Sequence, residues 1–308
     1  MGHYHSLEEV NLENSWLTVG VFDGVHRGHQ QIIKKLTAGA HASDAPAVVL
    51  TFDPHPASVL GGHEIKCLTL PDERAELLAQ LGVDVVITQR FTRELSTVSA
   101  YDFMTRLTHR LGLKHLLIGY DFALGKGREG NATRLTEIGT ELGYHVEVLP
   151  ALSDESGVIS STAIRKLIEV GNVGEAAHLL GHFHSLHGPV VRGDGRGRTI
   201  NVPTANIAYS PDKMIPAKGI YACWAYLKGQ KYFAAINIGT NPTFTPDKET
   251  PNVEAHLLDF RREIYEEDLR LEFVARLRDE LRFDSVDELL DQIWKDVEAT
   301  RRILQNAA

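Results

Sequence analysis

The sequence is short of cysteine: among 308 residues only Cys67 and Cys223 carry thiols. They stand far apart and in no paired spacing, which excludes a disulfide framework and a thiolate zinc site and is the usage expected in a reducing compartment. No block of Lys or Arg offsets the formal net charge of −9, so no face for a DNA or RNA phosphate backbone is expected. Small anions held by local loops stay open. No run approaches the roughly 18 apolar residues of a membrane span, and the opening MGHYHSLEEVNLENSW lacks the basic and apolar regions of a signal peptide. The expectation is a cytoplasmic chain with neither membrane nor nucleic acid as a partner. Internal repeats and low-complexity tracts are missing too. The length, at about 100–200 residues per domain, then predicts two domains.

What is present falls into two rhythms. From Trp16 to about Leu180, the apolar runs WLTVGVF, AVVLTF, DVVIT, HLLIGYDF and HVEVLP read as buried strands. Between them lie HQQIIKKLTAGA, DERAELLAQLG, SAYDFMTRLTHRLG and TRLTEIGTELG, helical patterns that close near glycine. Such a series predicts a doubly wound α/β sheet, parallel, with helices on both faces. After Gly188 the segments shorten to GPVVRG, TANIAY, GIYACWAYLK, FAAINIG, VEAHLLDF and LRLEFVARLR, separated by turn residues. That pattern predicts an antiparallel sandwich or barrel. The tail differs again: Val286, Leu289, Leu290, Ile293, Val297 and Leu304 recur at helical spacing behind a capping Ser285, which predicts one helix packed on the barrel. The boundary is expected in GHFHSLH, Gly181 to His187, giving domains 1–182 and 183–308.

The first strand runs straight into DGVHRGHQQII, so a glycine-containing turn and two histidines sit at the ligand edge of a doubly wound sheet. His26 and His29 flank Gly28, where backbone can approach a phosphate while both imidazoles and the helix N-terminal N–H groups face it. Two surface histidines in a turn are the plainer alternative. Zinc is the weaker one, because no Glu or third His stands at ligand spacing. Gly125, Gly127 and Gly130 spell GxGxxG, the fingerprint of a hydride-transferring dehydrogenase, but it follows the fourth strand where the fingerprint belongs on the first. A P-loop is excluded, since Gly125-Lys126 continues into Gly127 and not Ser or Thr.

In the second half, GPVVRGDGRGRTINVPTANI joins a Gly/Arg-rich loop, Gly195, Arg196, Gly197 and Arg198, to a strand opening with Pro203-Thr204-Ala205-Asn206. The loop can wrap phosphates through backbone N–H groups. Thr204 and Asn206 alternate onto one face, and two neutral oxygen ligands plus nucleotide phosphates suit Mg²⁺. Taken alone, the stretch also fits a glycine hairpin and a polar strand start.

These motifs come in a recognisable order. GVFDGVHRGHQ looks like the HxGH signature of the nucleotidyltransferase superfamily, and TFDPHP, GYDFALGKGREGN and ISSTAIR follow it as they do in FAD synthetases. VPTANI is similar to the riboflavin kinase signature and is followed by GIYACWA, AAINIGTNPTF, VEAHLLDF and RFDSVDELLDQIWKD. The chain thus resembles the bifunctional riboflavin kinases/FAD synthetases. The resemblance implies a Rossmann-like nucleotidyltransferase domain, then a six-stranded antiparallel β-barrel kinase domain with a C-terminal helix. Riboflavin, FMN and ATP would be the substrates and Mg²⁺ the metal.

Carried over, His26 and His29 would contact the ATP phosphates, with Gly20, Phe22, Asp23, Gly24 and Gly28 around them and Ser161, Thr162 and Arg165 holding phosphate from a helix start. Phe52, Asp53 and Asp121 would line the flavin side. Thr204 and Asn206 would hold the metal, and Glu254 would be the general base of the kinase. Without the resemblance, Ser161 and Thr162 read as a helix cap and Glu254 as an outward strand residue. The sequence departs from the family pattern at Ala123 and Leu124, and at Asn201, where glycine is usual.

Overall fold

A computed structural model describes every residue except 63, 155–156, 194–199, 201, 240–250 and 308. It divides into two compact units, Met1–Ser161 and Thr162–Ala308.

The first unit is built on a six-stranded sheet: β1 (Gly2–Tyr4), β2 (Ser15–Val19), β3 (Ala47–Asp53), β4 (Val85–Arg90), β5 (Leu113–Gly119) and β6 (His145–Leu149). Every pairing is parallel and the order is β1-β4-β3-β2-β5-β6. Strand order reverses between β2 and β5, which run side by side yet belong to opposite halves of the winding. This is the switch point at which doubly wound sheets bind ligands, beyond the carboxyl ends of the strands. Thr18 fastens it by donating from Oγ1 to the Leu117 carbonyl at 2.8 Å. A small antiparallel ribbon, β7 (Ser153–Asp154) and β8 (Gly157–Val158), follows the sheet.

Helices α1 (Arg27–Ala42), α3 (Pro71–Gln80), α4 (Ala100–Leu111) and α5 (Ala132–Leu142) cover the sheet, and the short α2 (Pro56–Gly61) follows β3. Ile33, Leu36, Ala75 and Leu78 fill one face; Leu107, Leu111, Leu135 and Ile138 fill the other. The parallel α/β expectation is met, with two differences. β1 pairs with β4 although no periodicity marks its three residues. HVEVLP forms β6, a sheet edge and not a buried strand: Val148 is 44% exposed and only Leu149 is buried, because an edge strand is covered on one side alone.

The second unit begins with α6 (Ser161–Glu169) across the division and α7 (Val173–Leu180). β9 (His184–Val191), β10 (Ala205–Ile207), β11 (Gly219–Leu227), β12 (Gln230–Gly239), β13 (Asn252–Leu257) and β14 (Asp268–Arg278) close into an antiparallel barrel ordered β10-β13-β12-β11-β14-β9. Leu186, Val190, Ile236, Ile238, Leu269, Leu271 and Phe273 are buried at alternate positions, as a small barrel filled by its own side chains requires. The terminal helix α8 (Val286–Asn306) starts where expected, Ser285 Oγ accepting the Glu288 N–H at 3.2 Å. It packs on the barrel through Leu304 against Ala222 and Trp224. Val286, expected on the packed face, is exposed. Helix α7 buries Val173, Ala176, Leu179 and Leu180 and lies beside β14 and β9, so it belongs by packing to the second unit.

Candidate functional sites

At the end of β2 the chain turns abruptly. Phe22, Gly24 and Val25 all take positive φ (51°, 80° and 38°), a conformation only glycine adopts without cost. The turn is held from outside. Buried Asp23 accepts from the Leu68 and Thr69 N–H groups at 3.1 and 2.9 Å, and Thr69 Oγ1 accepts from Gly24 N at 2.9 Å. Asp23, expected among the phosphate ligands, therefore uses its carboxylate to tether the loop. Phe22 is likewise turned into the core, which leaves the backbone of this stretch as its polar surface.

His26 is the N-cap of α1, its Nδ1 accepting the His29 N–H at 3.3 Å. An imidazole that accepts at Nδ1 carries its proton on Nε2. Burial pushes the His26 pKa down to about 4, against an opposing pull from Asp23, so the ring is neutral near pH 7. His29 stacks on it with ring centroids 3.6 Å apart. Burial, then His26, then Arg74 hold the His29 pKa well below the ordinary histidine value, and its Nδ1 is buried without a partner among the described residues. The pair is thus two neutral, polarisable donors packed ring on ring. Gly28 lies so close that an added Cβ would stand 3.2 Å from His26.

His29, Gly20 and Phe22 line a cavity of about 140 Å³ together with Gly119 and Asp121 of the β5 end, which puts the histidines at the switch point. A larger cavity of about 650 Å³ adjoins the same strand ends, lined by Gly20, Phe52, Phe91, Phe122, Asp121 and Arg128 among others. Phe52 and Phe91 meet edge to face at 5.5 Å. Flat aromatic ligands fit cavities of this size and lining. Of the three residues expected there, Phe52 and Asp121 line it and Asp53 does not, because successive strand residues face opposite ways. Ala123 and Leu124 are part of the wall. Phe91 and Phe122 were missed; their signal was position alone, since both follow strand ends of one sheet edge.

Ser161 donates from Oγ to the Asp23 carbonyl at 2.8 Å, bringing the start of α6 to the histidine turn. Thr162 is exposed and Arg165 half-buried on the same helix, beyond the division between the units. The GxGxxG stretch has another explanation than a dinucleotide. Leu124 and Gly130 pair in an antiparallel bridge, and a Cβ on Gly125 would meet Ala100 N at 2.6 Å and one on Gly130 would meet Ala100 Cβ at 2.7 Å, so Gly125 and Gly130 let a small loop lie against the start of α4.

In the barrel, register does the assembling. Glu254 of β13 stands opposite Asn206 of β10 on one side and Asn237 of β12 on the other. Directly paired residues share a face, and the neighbours Val253 and Ala255 are buried, so the three polar side chains form a row on the barrel's outer face. Glu254, Asn237 and Thr204 line a cavity of about 290 Å³ whose other wall includes Leu289, Ile293 and Asp296 of α8 and Arg278 of β14. Arg278 forks onto Asp296, Nη2 lying 2.6 Å from Oδ2 and Nε 3.0 Å from Oδ1, and pins the helix over the cavity. Thr204 also lines a second cavity of about 240 Å³ with Pro203, Phe260, Arg261, Arg262 and Tyr265. One residue therefore borders both spaces. Asn237, His256, Arg278 and Asp296 were missed, since only register and the docked helix bring them here. The expected loop residues Gly195, Arg196, Gly197 and Arg198, with Asn201, lie outside the described residues.

A switch-point crevice with neutral histidines at a helix start, and a barrel with a carboxylate lining one of two cavities that share Thr204, define a chain with a nucleotide-handling α/β unit and a separate barrel unit. The FAD synthetase family model matches residues 8–163 and the riboflavin kinase model residues 180–304. Bifunctional riboflavin kinase/FMN adenylyltransferases from Listeria monocytogenes, Bacillus subtilis and Escherichia coli K12 are similar to it. They are 38, 34 and 36% identical, over 94, 99 and 95% of this chain and 92, 97 and 93% of theirs. The crystal structure of a protein described as a macrolide-efflux protein from Streptococcus pneumoniae superimposes with a TM-score of 0.89 at 32% identity, over 97% of this chain and 98% of that one. Among the described residues no helix of this chain is long and apolar enough to cross a membrane. The chain belongs to the bifunctional riboflavin kinase/FMN adenylyltransferase family.

Proposed function

We propose that this chain makes FMN from riboflavin at the barrel and FAD from FMN at the parallel sheet, each step using ATP. The observation that carries the kinase half is Thr204, which borders both barrel cavities while Glu254 lines one of them. Nucleotide in the cavity beside Arg261 and Arg262, and riboflavin in the one beneath α8, meet at that wall. The ribityl hydroxyl is neutral and a poor nucleophile. Glu254 takes its proton as the new O–P bond forms to the γ-phosphorus and the bond to ADP breaks. Arg278 and Asp296 keep α8 seated, so that the hydroxyl is held against the carboxylate.

Mg²⁺ fits the donors present. Thr204 offers a hydroxyl, Asn206 a carboxamide and Glu254 a carboxylate opposite it, all hard oxygens, and Gly193 passes so near that an added Cβ would lie 2.2 Å from Asn206 Nδ2. Thr204 and Asn206 would hold the ion with the nucleotide phosphates, where it would supply charge neutralisation.

At the sheet the nucleophile is the FMN phosphate, already an anion, so positioning and charge stabilisation suffice. The phosphate oxygen bonds to the α-phosphorus of ATP as pyrophosphate departs. His26 donates from Nε2–H to phosphate oxygens, His29 stands beside it, and the N–H groups of α1 and the turn complete the donor set. Ser161, tied to the Asp23 carbonyl, holds phosphate from the start of α6. The flavin ring lies among Phe52, Phe91 and Phe122, with Asp121 at the junction of the two spaces.

Incubating the pure protein with riboflavin, ATP and Mg²⁺, and separating the flavins by chromatography, tests this. FMN followed by FAD with pyrophosphate is expected. Tight flavin binding without either product would make the chain a flavin carrier and overturn the proposal.

A further inference from the structure

The largest fully buried side chain of the first unit is a charged one. Arg74, in the first turn of α3, is 1% exposed. No carboxylate pairs with it among the described residues; its guanidinium faces neutral oxygens. Nη1 donates to Thr51 Oγ1 at 2.8 Å and to the Phe52 carbonyl at 3.2 Å, and Nη2 donates to the Thr69 carbonyl at 3.1 Å. Among the described residues Nε is buried without a hydrogen-bond partner. A buried cation in this state costs stability that an apolar residue of the same size would not.

The three oxygens belong to the supports of the site. Thr51 Oγ1 passes its own proton to the Val21 carbonyl at 2.8 Å, in the turn that follows β2. Phe52 is the flavin-facing residue of β3. Thr69 holds Asp23 and Gly24 by three hydrogen bonds, its N–H and Oγ1 on the Asp23 carboxylate and its Oγ1 accepting Gly24 N. One planar fork thus joins the β3 end, the 68–70 segment and, through them, both ends of the turn that carries His26. Lysine has no such fork, being a compact charge on a flexible stem. The start of α3 aims the guanidinium at these oxygens. Pro71 opens the helix and Glu73 accepts the Leu70 N–H at 2.8 Å, which fixes the direction in which the next side chain leaves.

We propose that Arg74 is a positioning residue for adenylyl transfer, setting the histidine turn and Phe52 in one frame while its fixed positive charge acts on His29. The second part has a direction. The guanidinium is one of the influences that lower the His29 pKa, so its removal lets His29 protonate at higher pH. The proposal rests on the reading of this unit as the FMN-adenylylating site.

The test compares full-length wild type, Arg74→Lys and Arg74→Met for FMN-to-FAD conversion across pH 5–8, with riboflavin phosphorylation by the same samples as a control. Arg74→Lys keeps the charge and loses the fork. It should lower kcat for FAD formation by about 10- to 100-fold, the range for a displaced site, while KM for ATP changes less and the acid limb of the profile stays in place. Arg74→Met should lose at least as much and move that limb to higher pH. Kinase activity should be unchanged in both. Wild-type kcat and profile in Arg74→Lys would overturn the proposal, as would a loss that tracks only the folded fraction by circular dichroism. A wild-type protein that forms FMN but no FAD would fail differently, by refuting the reading of the site itself.

Discussion

Acidification should loosen the first unit through His26. In the unfolded chain this histidine titrates near 6.5, and in the fold near 4. Its folded pKa is depressed, so the unfolded state gains protons first as pH falls, and stability present above pH 6.5 is lost between there and about pH 4. The full shift, 6.5 to 4 at about 1.36 kcal/mol per pH unit, corresponds to about 3 kcal/mol. Of this, roughly 2 kcal/mol is gone between pH 7 and pH 5. That is a large part of the 5–15 kcal/mol usual for a domain. His29, lowered by burial as well, acts in the same direction. His26→Asn keeps an acceptor for the His29 N–H, asparagine being among the best N-caps, but cannot titrate. Amide exchange at Leu17, Val49 and Leu116, corrected for intrinsic rates, measures the opening free energy of the sheet at pH 7 and pH 5. The wild type should lose roughly 2 kcal/mol more than His26→Asn over this interval. Equal losses would show that His26 is not buried in its neutral form.

A fragment of residues 162–308 should be soluble and phosphorylate riboflavin, whereas 183–308 lacks α7, four of whose apolar side chains are buried. At about 1.5–3 kcal/mol for each of Val173, Leu179 and Leu180, their loss should leave the shorter fragment aggregated or molten, which size-exclusion chromatography and thermal melts decide. Thr204→Ala should reduce kinase kcat by at least about tenfold and leave FAD formation from FMN untouched, as coupled assays of each step would show. Gly125→Ala should lower the melting temperature, because its Cβ would meet Ala100 N at 2.6 Å in a backbone of φ 77°. The cost is about 1–3 kcal/mol, and a melt unchanged from wild type would argue against that loop packing.

The architecture was legible because each half carries its own periodicity. Long apolar runs with glycine-ended helices imposed the parallel sheet, and short alternating segments the barrel. His26 and His29 were legible because the turn and the helix start are consecutive in the chain. The outlying parts were not. The strand at Gly2–Tyr4 is too short to show a period. Arg74, within DERAELLAQLG, reads as one more solvated charge on an amphipathic helix, and only the fold reveals it to be buried. In the barrel, Glu254 was nameable only by resemblance. Its neighbours Asn206 and Asn237 lie 48 and 17 residues away in sequence, and strand pairing alone makes them one row. The pattern of α8 predicted its packing, but not that Asp296, a carboxylate on the packed side, meets Arg278 there.

The central claim is that one chain holds two chemically distinct sites, a carboxylate that accepts a proton in the barrel and neutral histidines that stabilise charge on the sheet. Glu254→Gln and His29→Ala, each given riboflavin or FMN with ATP and Mg²⁺, test it most directly. Glu254→Gln should form FMN about 10²–10⁴ times more slowly and still convert added FMN to FAD, and His29→Ala should do the reverse. A Glu254→Gln protein that phosphorylates riboflavin at the wild-type rate, or either substitution that depresses both steps together, would contradict the account.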